Sequence, residues 1–206
     1  MTKRRKYDAQ PLPSLQRKRL HISLFIAVLA CFCLSACGGD NMYSSSYCNF
    51  VFLSNLYPSS ALTMAVGSTS GQFCMVKAVT ERGVVHLKLT PNSGSYADTD
   101  LDLTMNTAIT SERISYASMG KRQGLIIGRS VFGQLKAYDM QCPNCDFNHE
   151  LKWGTQSLEV VCDKCHRTYN IDGDYGYVKS GEKGRALEQY KNVSYSPLDG
   201  RLVVRN

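Results

Sequence analysis

The residues with the clearest chemical potential are four cysteines in the last third of the chain. They form two C-x-x-C pairs, Cys142-Pro-Asn-Cys145 and Cys162-Asp-Lys-Cys165, with sixteen residues between them. A C-x-x-C turn directs two thiolates toward one point, and two such turns that face each other can close a tetrahedral four-sulfur site. A spacer of this length can form the short hairpin that brings the turns together. The spacing therefore predicts a metal centre made of Cys142, Cys145, Cys162 and Cys165.

Two other uses of these cysteines are chemically reasonable. Each pair could close on itself as a structural or redox-active disulfide, which would make the chain a thiol–disulfide exchange protein. The second pair together with His166 also spells C-x-x-C-H, the attachment sequence of c-type haem. A covalent haem would leave Cys142 and Cys145 without a role, so we do not expect one. We expect His166 to be a solvated loop residue.

The start of the chain has the pattern of an export signal. Residues 1–20 carry seven basic side chains and one acidic side chain, and an apolar run follows from Ile22 to Leu34. A basic start, a short apolar stretch and small residues at its end are typical of a secretory signal peptide. The stretch is also too short for a comfortable membrane span.

The end of this stretch, Leu34-Ser-Ala-Cys37, resembles the lipobox of bacterial lipoproteins. The resemblance implies cleavage before Cys37 and acylation of its thiol and its new N-terminus, and several acyl chains anchor a protein firmly. The alternative is an ordinary signal peptide with cleavage nearby. Gly38 rather than Asp after the cysteine favours the outer membrane by the same analogy, so we expect a cell-envelope protein with the membrane as its partner. The predicted parts are a signal peptide (1–36), a lipid-anchored tether (37–47) and a folded domain (48–206).

The formal charge of +7 does not indicate a nucleic-acid partner. Without residues 1–20, the chain carries 17 basic and 16 acidic side chains, so the excess of charge belongs to the leader. The sequence also contains no G-x-S-x-G element and no Gly-rich phosphate-binding loop. We therefore expect no nucleic-acid binding and lean against an enzyme.

Two cysteines outside the pairs belong to the predicted domain. Cys48 and Cys74 have 25 residues between them. In an oxidising compartment they could form a loop-closing disulfide, which would stabilise the fold by about 3 kcal/mol. The sequence leaves open the alternative of two buried free thiols.

Short alternating apolar segments, separated by turn residues, indicate a mainly β domain. Gln72–Ala78 and Gly83–Leu89 alternate in this way, and residues 125–138 are typical of a hairpin with Gly133 in its turn. Residues 98–119 are ambiguous, because a strand-like beginning is followed by a segment that could form a short helix. No long amphipathic helix is evident.

The C-terminal part of the chain resembles the Rieske iron–sulfur domain. A predicted strand with Ala137-Tyr138 leads into the first cysteine loop, a hairpin-length spacer follows, and the second loop ends at the aromatic Tyr169. A Gly-rich return then carries Leu187-x-x-Tyr190-x-x-Val193 before a final strand. The resemblance covers about residues 124–206 and is closest to Rieske-like domains of small bacterial lipoproteins. It implies an antiparallel β sandwich or barrel with a zinc-ribbon-like metal-binding subdomain at about residues 140–182.

The ligand set departs from that family. A Rieske cluster uses C-x-H in the first loop and C-x-x-H in the second, whereas both loops here are C-x-x-C. Alignment on Tyr169 puts Cys165 at the position of the second histidine. Histidine ligands raise the potential of a Rieske cluster, so four thiolates instead suit Zn²⁺ or a low-potential [2Fe–2S] cluster. We expect Zn²⁺ first, because paired turns suit one tetrahedral ion and zinc needs no electron partner.

These features together predict an extracytoplasmic, lipid-anchored protein. Its Rieske-like domain is expected to hold a metal centre with a structural or binding role. The alternative is an electron carrier with an all-Cys [2Fe–2S] cluster, and the third hypothesis is thiol–disulfide exchange.

Overall fold

The computed structural model describes residues 43–67, 70–102, 118–122, 124–146, 149–173 and 175–206. These residues belong to one compact unit, Asn41–Asn206. The predicted signal peptide, the predicted lipidation site Cys37 and most of the ambiguous segment lie outside the described residues. None of the helices in the described ranges is both long and apolar enough to cross a membrane.

The described ranges form short strands joined by turns, with one short helix. The helix α1 is Ala61–Val66, and a single 3₁₀ turn, Ser54–Leu56, follows the first strand. The strands are β1 (Asn49–Leu53), β2 (Gln72–Glu81), β3 (Val84–Pro91), β4 (Asp100–Asp102), β5 (Gly124–Arg129), β6 (Leu135–Asp139), β7 (Leu151–Trp153), β8 (Glu159–Cys162), β9 (Thr168–Asn170), β10 (Val178–Ser180), β11 (Asn192–Ser196) and β12 (Arg201–Arg205).

The strands form three sheets, and every pairing of strands in them is antiparallel. A five-stranded sheet has the order β4-β3-β2-β5-β6, a three-stranded sheet the order β1-β12-β11, and a four-stranded sheet the order β10-β9-β8-β7. The prediction of a mainly β, antiparallel architecture is confirmed. The four-stranded sheet carries the two cysteine loops, and we call residues 140–182 the metal subdomain.

The predicted hairpin is formed by β5 and β6. The two strands pair from Leu125 opposite Asp139 to Arg129 opposite Leu135. Gly133 lies in the connecting turn with φ 77°, a left-handed conformation that glycine adopts without strain. The side chain of Arg129 donates from Nη1 to the carbonyl of Gly133 at 2.8 Å, which ties the turn to its own strand.

The helix α1 was not predicted from the sequence. The hydroxyl of Ser60 caps its first turn by accepting a hydrogen bond from the Thr63 N–H at 3.2 Å. At six residues, α1 is too short to show a helical repeat in the sequence, and it depends on burial of Leu62 and Val66 in the core.

The five-stranded sheet has a hydrophobic core on each face. Leu125 and Ile127 of β5 point to one core, where they meet α1 and the three-stranded sheet. Ile126, the residue between them, points to a second core formed with the metal subdomain. This follows from the alternation of side chains along a strand, and it explains why β5 is apolar at successive positions.

The metal subdomain is attached to the five-stranded sheet by specific polar contacts as well. The buried hydroxyl of Tyr138 in β6 donates to the carbonyl of Ile171 at 3.1 Å. The indole N–H of Trp153 in β7 donates to the carbonyl of Thr90 in β3 at 3.0 Å. These contacts fix the four-stranded sheet against two strands of the five-stranded sheet, β6 and β3.

Candidate metal centre

The four predicted cysteines converge at one end of the metal subdomain. Their Sγ atoms all lie within 4.8 Å of one another. The two short contacts cross between the loops: Cys142 Sγ lies 3.7 Å from Cys165 Sγ, and Cys145 Sγ lies 3.8 Å from Cys162 Sγ. The two loops therefore interleave their thiols into a single cluster, which could hold a metal ion.

Two of the six sulfur–sulfur distances can be compared with the geometry of a tetrahedral ion. A zinc–sulfur bond of about 2.3 Å puts the corners of a tetrahedron about 3.8 Å apart. The two crossing sulfur–sulfur distances equal that edge within a tenth of an ångström. The donor set is also that of closed structural zinc sites, which use four thiolates.

The first loop is positioned by β6 and by the residue that begins the return toward β7. Cys142 follows β6 after two residues, and its N–H donates to the carbonyl of His149 at 2.9 Å. The N–H of Cys145 points back to the Cys142 carbonyl at 3.5 Å, which closes the C-x-x-C turn. Pro143 fits within this turn, because proline presets φ and the turn needs no N–H there.

The second loop joins β8 to β9 and contains a residue in a left-handed conformation. His166 has φ 55°, and its N–H donates to the carbonyl of Cys162 at 2.9 Å. The N–H of Cys162 donates in turn to the carbonyl of Arg167 at 3.1 Å. His166 thus serves the loop through its backbone while its side chain is exposed, which agrees with the predicted solvated loop residue.

The cluster has a buried side and an accessible side. Cys142 and Cys162 are completely buried in the second hydrophobic core, whereas Cys145 and Cys165 are partly exposed. The buried pair takes the place of core side chains, and the exposed pair closes the site toward solvent.

A chain of hydrogen bonds supports Cys142. The Tyr169 hydroxyl lies 3.4 Å from Cys142 Sγ and accepts a hydrogen bond from Asn144 Nδ2 at 3.0 Å. Because the hydroxyl oxygen accepts from Asn144, its proton is available to the sulfur. Asn144 is held in turn by the backbone of Arg185, to which it donates at 2.7 Å and from which it accepts at 2.8 Å.

Ionisation of the four thiols depends on a compensating positive charge. Burial raises the pKa of Cys142, and burial together with hydrogen bonds to the neighbouring cysteines raises the pKa of Cys145. Burial also acts to raise the pKa of Cys165. Hydrogen bonds from the side chain and backbone of Arg167, together with those from the neighbouring cysteines, outweigh it and lower that pKa to about 6. Four adjacent thiolates repel one another, so full ionisation of the set requires a compensating metal charge.

The remaining predicted cysteines do not join the cluster. Cys48 and Cys74 are buried free thiols in the first core, so the structure contains the alternative to the disulfide. Cys48 Sγ contacts the Val204 carbonyl at 3.5 Å, and Cys74 Sγ contacts the Met75 carbonyl at 3.4 Å. Burial raises the pKa of both, to about 11 for Cys48, which makes them unreactive core residues.

Sequence reasoning missed the supporting residues Asn144 and Arg185. Asn144 and Arg185 are 41 positions apart, and no local pattern relates them. Arg167 is buried and pairs with Glu182 at 2.7 Å, although an arginine after a C-x-x-C pair is ordinarily solvated.

Comparisons of the chain with protein-family models, with curated proteins and with solved structures give no match. The interpretation of the site therefore rests on its own geometry and chemistry.

Proposed function

We propose that Cys142, Cys145, Cys162 and Cys165 bind one Zn²⁺ and that the ion joins the two loops of the metal subdomain. The observation that carries this proposal is the sulfur geometry, with crossing distances of 3.7 and 3.8 Å and all four atoms within 4.8 Å. Such a site contributes folding free energy directly, because the unfolded chain has no comparable cluster.

The compactness of the cluster favours one ion over a two-iron centre. An all-Cys [2Fe–2S] cluster takes two thiolates on each iron, so the sulfurs of one pair lie across the cluster from those of the other. Here every sulfur pair lies within 4.8 Å. A two-iron cluster would require the loops to separate, which Asn144 and Tyr169 oppose by joining the first loop to β9 and Arg185.

The size of the metal subdomain supports a structural role for the ion. Its strands β7, β8, β9 and β10 have only three or four residues each. Two of its buried core positions are Cys142 and Cys162, so the ligands of the ion are themselves part of the core. A tetrahedral ion would tie both to Cys145 and Cys165 and so stabilise the loops that the short strands cannot hold.

We further propose that the protein is a lipid-anchored component of the cell envelope. The lipobox-like Leu34-Ser-Ala-Cys37 supports this, and the first described residues add a spatial constraint. The N–H of Ser44 donates to the Gln189 carbonyl at 2.8 Å, so the predicted tether joins the folded domain before Cys48. The six residues from Gly38 to Tyr43 span at most about 20 Å, which would keep the domain close to a membrane.

We propose a relationship to Rieske-like domains on the order of elements around the site. β6 with Ala137 and Tyr138 enters the first loop, the β7–β8 hairpin forms the spacer, and Tyr169 follows the second loop in β9. The return segment then brings Leu187 and Tyr190 into the two cores. This order supports the resemblance, and the all-cysteine ligand set argues against Rieske electron transfer.

A second candidate function, thiol–disulfide exchange, is favoured by one observation. Cys165 is partly exposed and its pKa is lowered to about 6, so without a metal it would be an accessible thiolate. The crossing sulfur contacts are less suited to exchange, since they put the nearest thiols in opposite loops. Bound metal and exchange are mutually exclusive at this site.

The test is elemental analysis with a visible spectrum on soluble Gly38–Asn206, expressed once with added zinc and once with added iron. One zinc per chain and no colour would support the proposal. About two irons per chain with sulfide and a brown colour would replace it with the electron carrier. Absence of metal, together with rapid alkylation of Cys165 in the native protein, would favour thiol–disulfide exchange.

A further inference from the structure

A cationic groove lies beside the second cysteine loop. It has a volume of about 320 Å³. Its lining residues belong to β2, to the segments before β5 and before β7, to β7 and to the loop itself, and they include the imidazole of His149. Four of the lining side chains are cationic: Lys77, Arg122, Lys152 and Lys164. The groove thus lies where the metal subdomain meets the five-stranded sheet, and junctions of this kind are common places for ligand sites.

The carboxylates in the groove do not balance its positive charge. Lys77 Nζ donates to both carboxylate oxygens of Glu150, each at 2.7 Å. Arg122 Nε lies 3.6 Å from Glu150 Oε1. Asp163 is paired with Lys152. Four cationic side chains and two carboxylates therefore line the groove, so its lining is mainly cationic.

The groove is more cationic than the domain as a whole. Residues 43–206 contain 17 basic and 15 acidic side chains, whereas four basic side chains and two carboxylates line the groove. The cation that contacts the thiolates is Arg167, which does not line the groove. Lys164 has no carboxylate partner within the described ranges. A concave surface with one sign of charge focuses the electrostatic potential and attracts counter-ions.

We propose that this groove binds a dianionic phosphate group. A tetrahedral phosphate offers three oxygens to donors that approach from different directions, which suits ammonium and guanidinium groups carried by separate elements. The negative charge of the phosphate would complement the mainly cationic lining. The volume fits a single phosphate group with a small substituent rather than an extended polymer. The group could belong to a free phosphomonoester or to a lipid headgroup, and both present the same chemistry.

The experiment is equilibrium dialysis of radiolabelled inorganic phosphate against the full, zinc-loaded chain in neutral detergent at low salt. We expect saturable binding of one phosphate per chain. The combined change Arg122→Gln and Lys164→Gln should weaken binding by roughly tenfold or more, since it removes two charged donors. Lys191→Gln, a change of an exposed lysine outside the groove, is the matched control and should leave binding unchanged.

The outcomes separate this proposal from the metal proposal. Zinc content is measured on each variant, and groove variants that keep their metal but lose phosphate binding support the groove. Binding that is not saturable, or that falls equally in the Lys191→Gln control, would overturn the proposal. Competition by short-chain phosphatidate distinguishes the two sources: stronger competition than by inorganic phosphate indicates a lipid headgroup, and equal competition indicates a free phosphate group.

Discussion

The hydroxyl of Tyr190 donates a hydrogen bond to the buried carboxylate of Asp139 at 2.8 Å. The carboxylate also accepts from the backbone N–H groups of Gln141 at 2.8 Å and Lys121 at 3.0 Å. Asp139 therefore joins the strand that enters the first cysteine loop to the return segment and to the segment before β5. Position 120 requires glycine, because a Cβ atom there would lie 2.5 Å from Oδ2 of the same carboxylate.

The Asp139 carboxyl should make stability depend on pH. Burial raises its pKa above the ordinary value of 3.8, although its three donors partly offset this. The folded state then holds the proton at a pH where the unfolded state has lost it. The stabilising contribution is full below about pH 4 and is lost as pH rises through the folded pKa. Urea unfolding of the wild type and of Asp139→Asn from pH 4 to pH 7 measures this.

We expect the free energy of unfolding of the wild type, relative to that of Asp139→Asn, to fall as the pH rises through this range. The difference between the two proteins cancels the pH dependence of the metal site, which both share. A difference that stays constant with pH, or that grows with it, would contradict the raised pKa.

Removing the buried ligands should remove the metal and destabilise the fold. In the double variant Cys142→Ser and Cys162→Ser we expect no bound metal, because the two remaining thiolates cannot close the site. Each 1 kcal/mol of lost stability lowers the melting temperature by about 2–4 °C in a domain of this size, and a structural ion contributes several kcal/mol, so we expect a fall of roughly 10 °C or more. Calorimetry with and without chelator measures it.

The matched control replaces the two buried cysteines outside the cluster, Cys48→Ala and Cys74→Ala. Those variants should keep one metal ion and remain sensitive to chelator, whereas the ligand variant should melt at the same temperature with or without chelator. A ligand variant that melts like the wild type would refute the structural role.

The four cysteines of the cluster and part of the fold could be predicted from the sequence. The two C-x-x-C pairs predict the cluster because local turns aim the thiols, and only the hairpin between them must bring the pairs together. The β5–β6 hairpin was also predictable, since its turn and its pairing are local. These features depend on residues close together along the chain.

Features that depend on tertiary contacts could not be predicted. The helix α1 is held by burial of Leu62 and Val66 rather than by its own length or periodicity. The bond between Asp139 and Tyr190 joins positions 51 apart, and a buried carboxylate has no signature in the sequence. The same reason explains why the sequence leaves the state of Cys48 and Cys74 open: their spacing permits a disulfide bond, and the choice between a bond and two free thiols depends on packing.

The hydroxyl of Tyr169 should strengthen metal binding. Tyr169→Phe removes the hydroxyl that lies 3.4 Å from Cys142 Sγ and leaves Asn144 Nδ2 without this acceptor. Loss of a hydrogen-bond partner of a metal ligand commonly weakens metal binding by about 10- to 100-fold, and we expect about tenfold here. Competition with a chromophoric zinc chelator measures the affinity.

Tyr195→Phe is the matched control for this prediction. Its hydroxyl lies 3.0 Å from Ser54 Oγ, away from the cluster, so the same chemical change should leave zinc affinity unaltered. Equal losses in the two variants would show that the Tyr169 hydroxyl has no specific role at the sulfur.

Glycine at position 184 should be required for full zinc affinity, because the side chain of Asn144 beside it cannot move aside. A Cβ atom at position 184 would lie 2.5 Å from Asn144 Oδ1, and that amide is fixed on both sides by the Arg185 backbone and the Tyr169 hydroxyl. Gly184→Ala should therefore displace Asn144, weaken zinc binding several-fold and speed hydrogen exchange at the Arg185 N–H. At Gly173 the nearest atom to a Cβ is 3.7 Å away, so Gly173→Ala should change neither. Unchanged exchange in Gly184→Ala would mean that Asn144 can relax, and that the link from Arg185 through Asn144 to Cys142 does not support the metal.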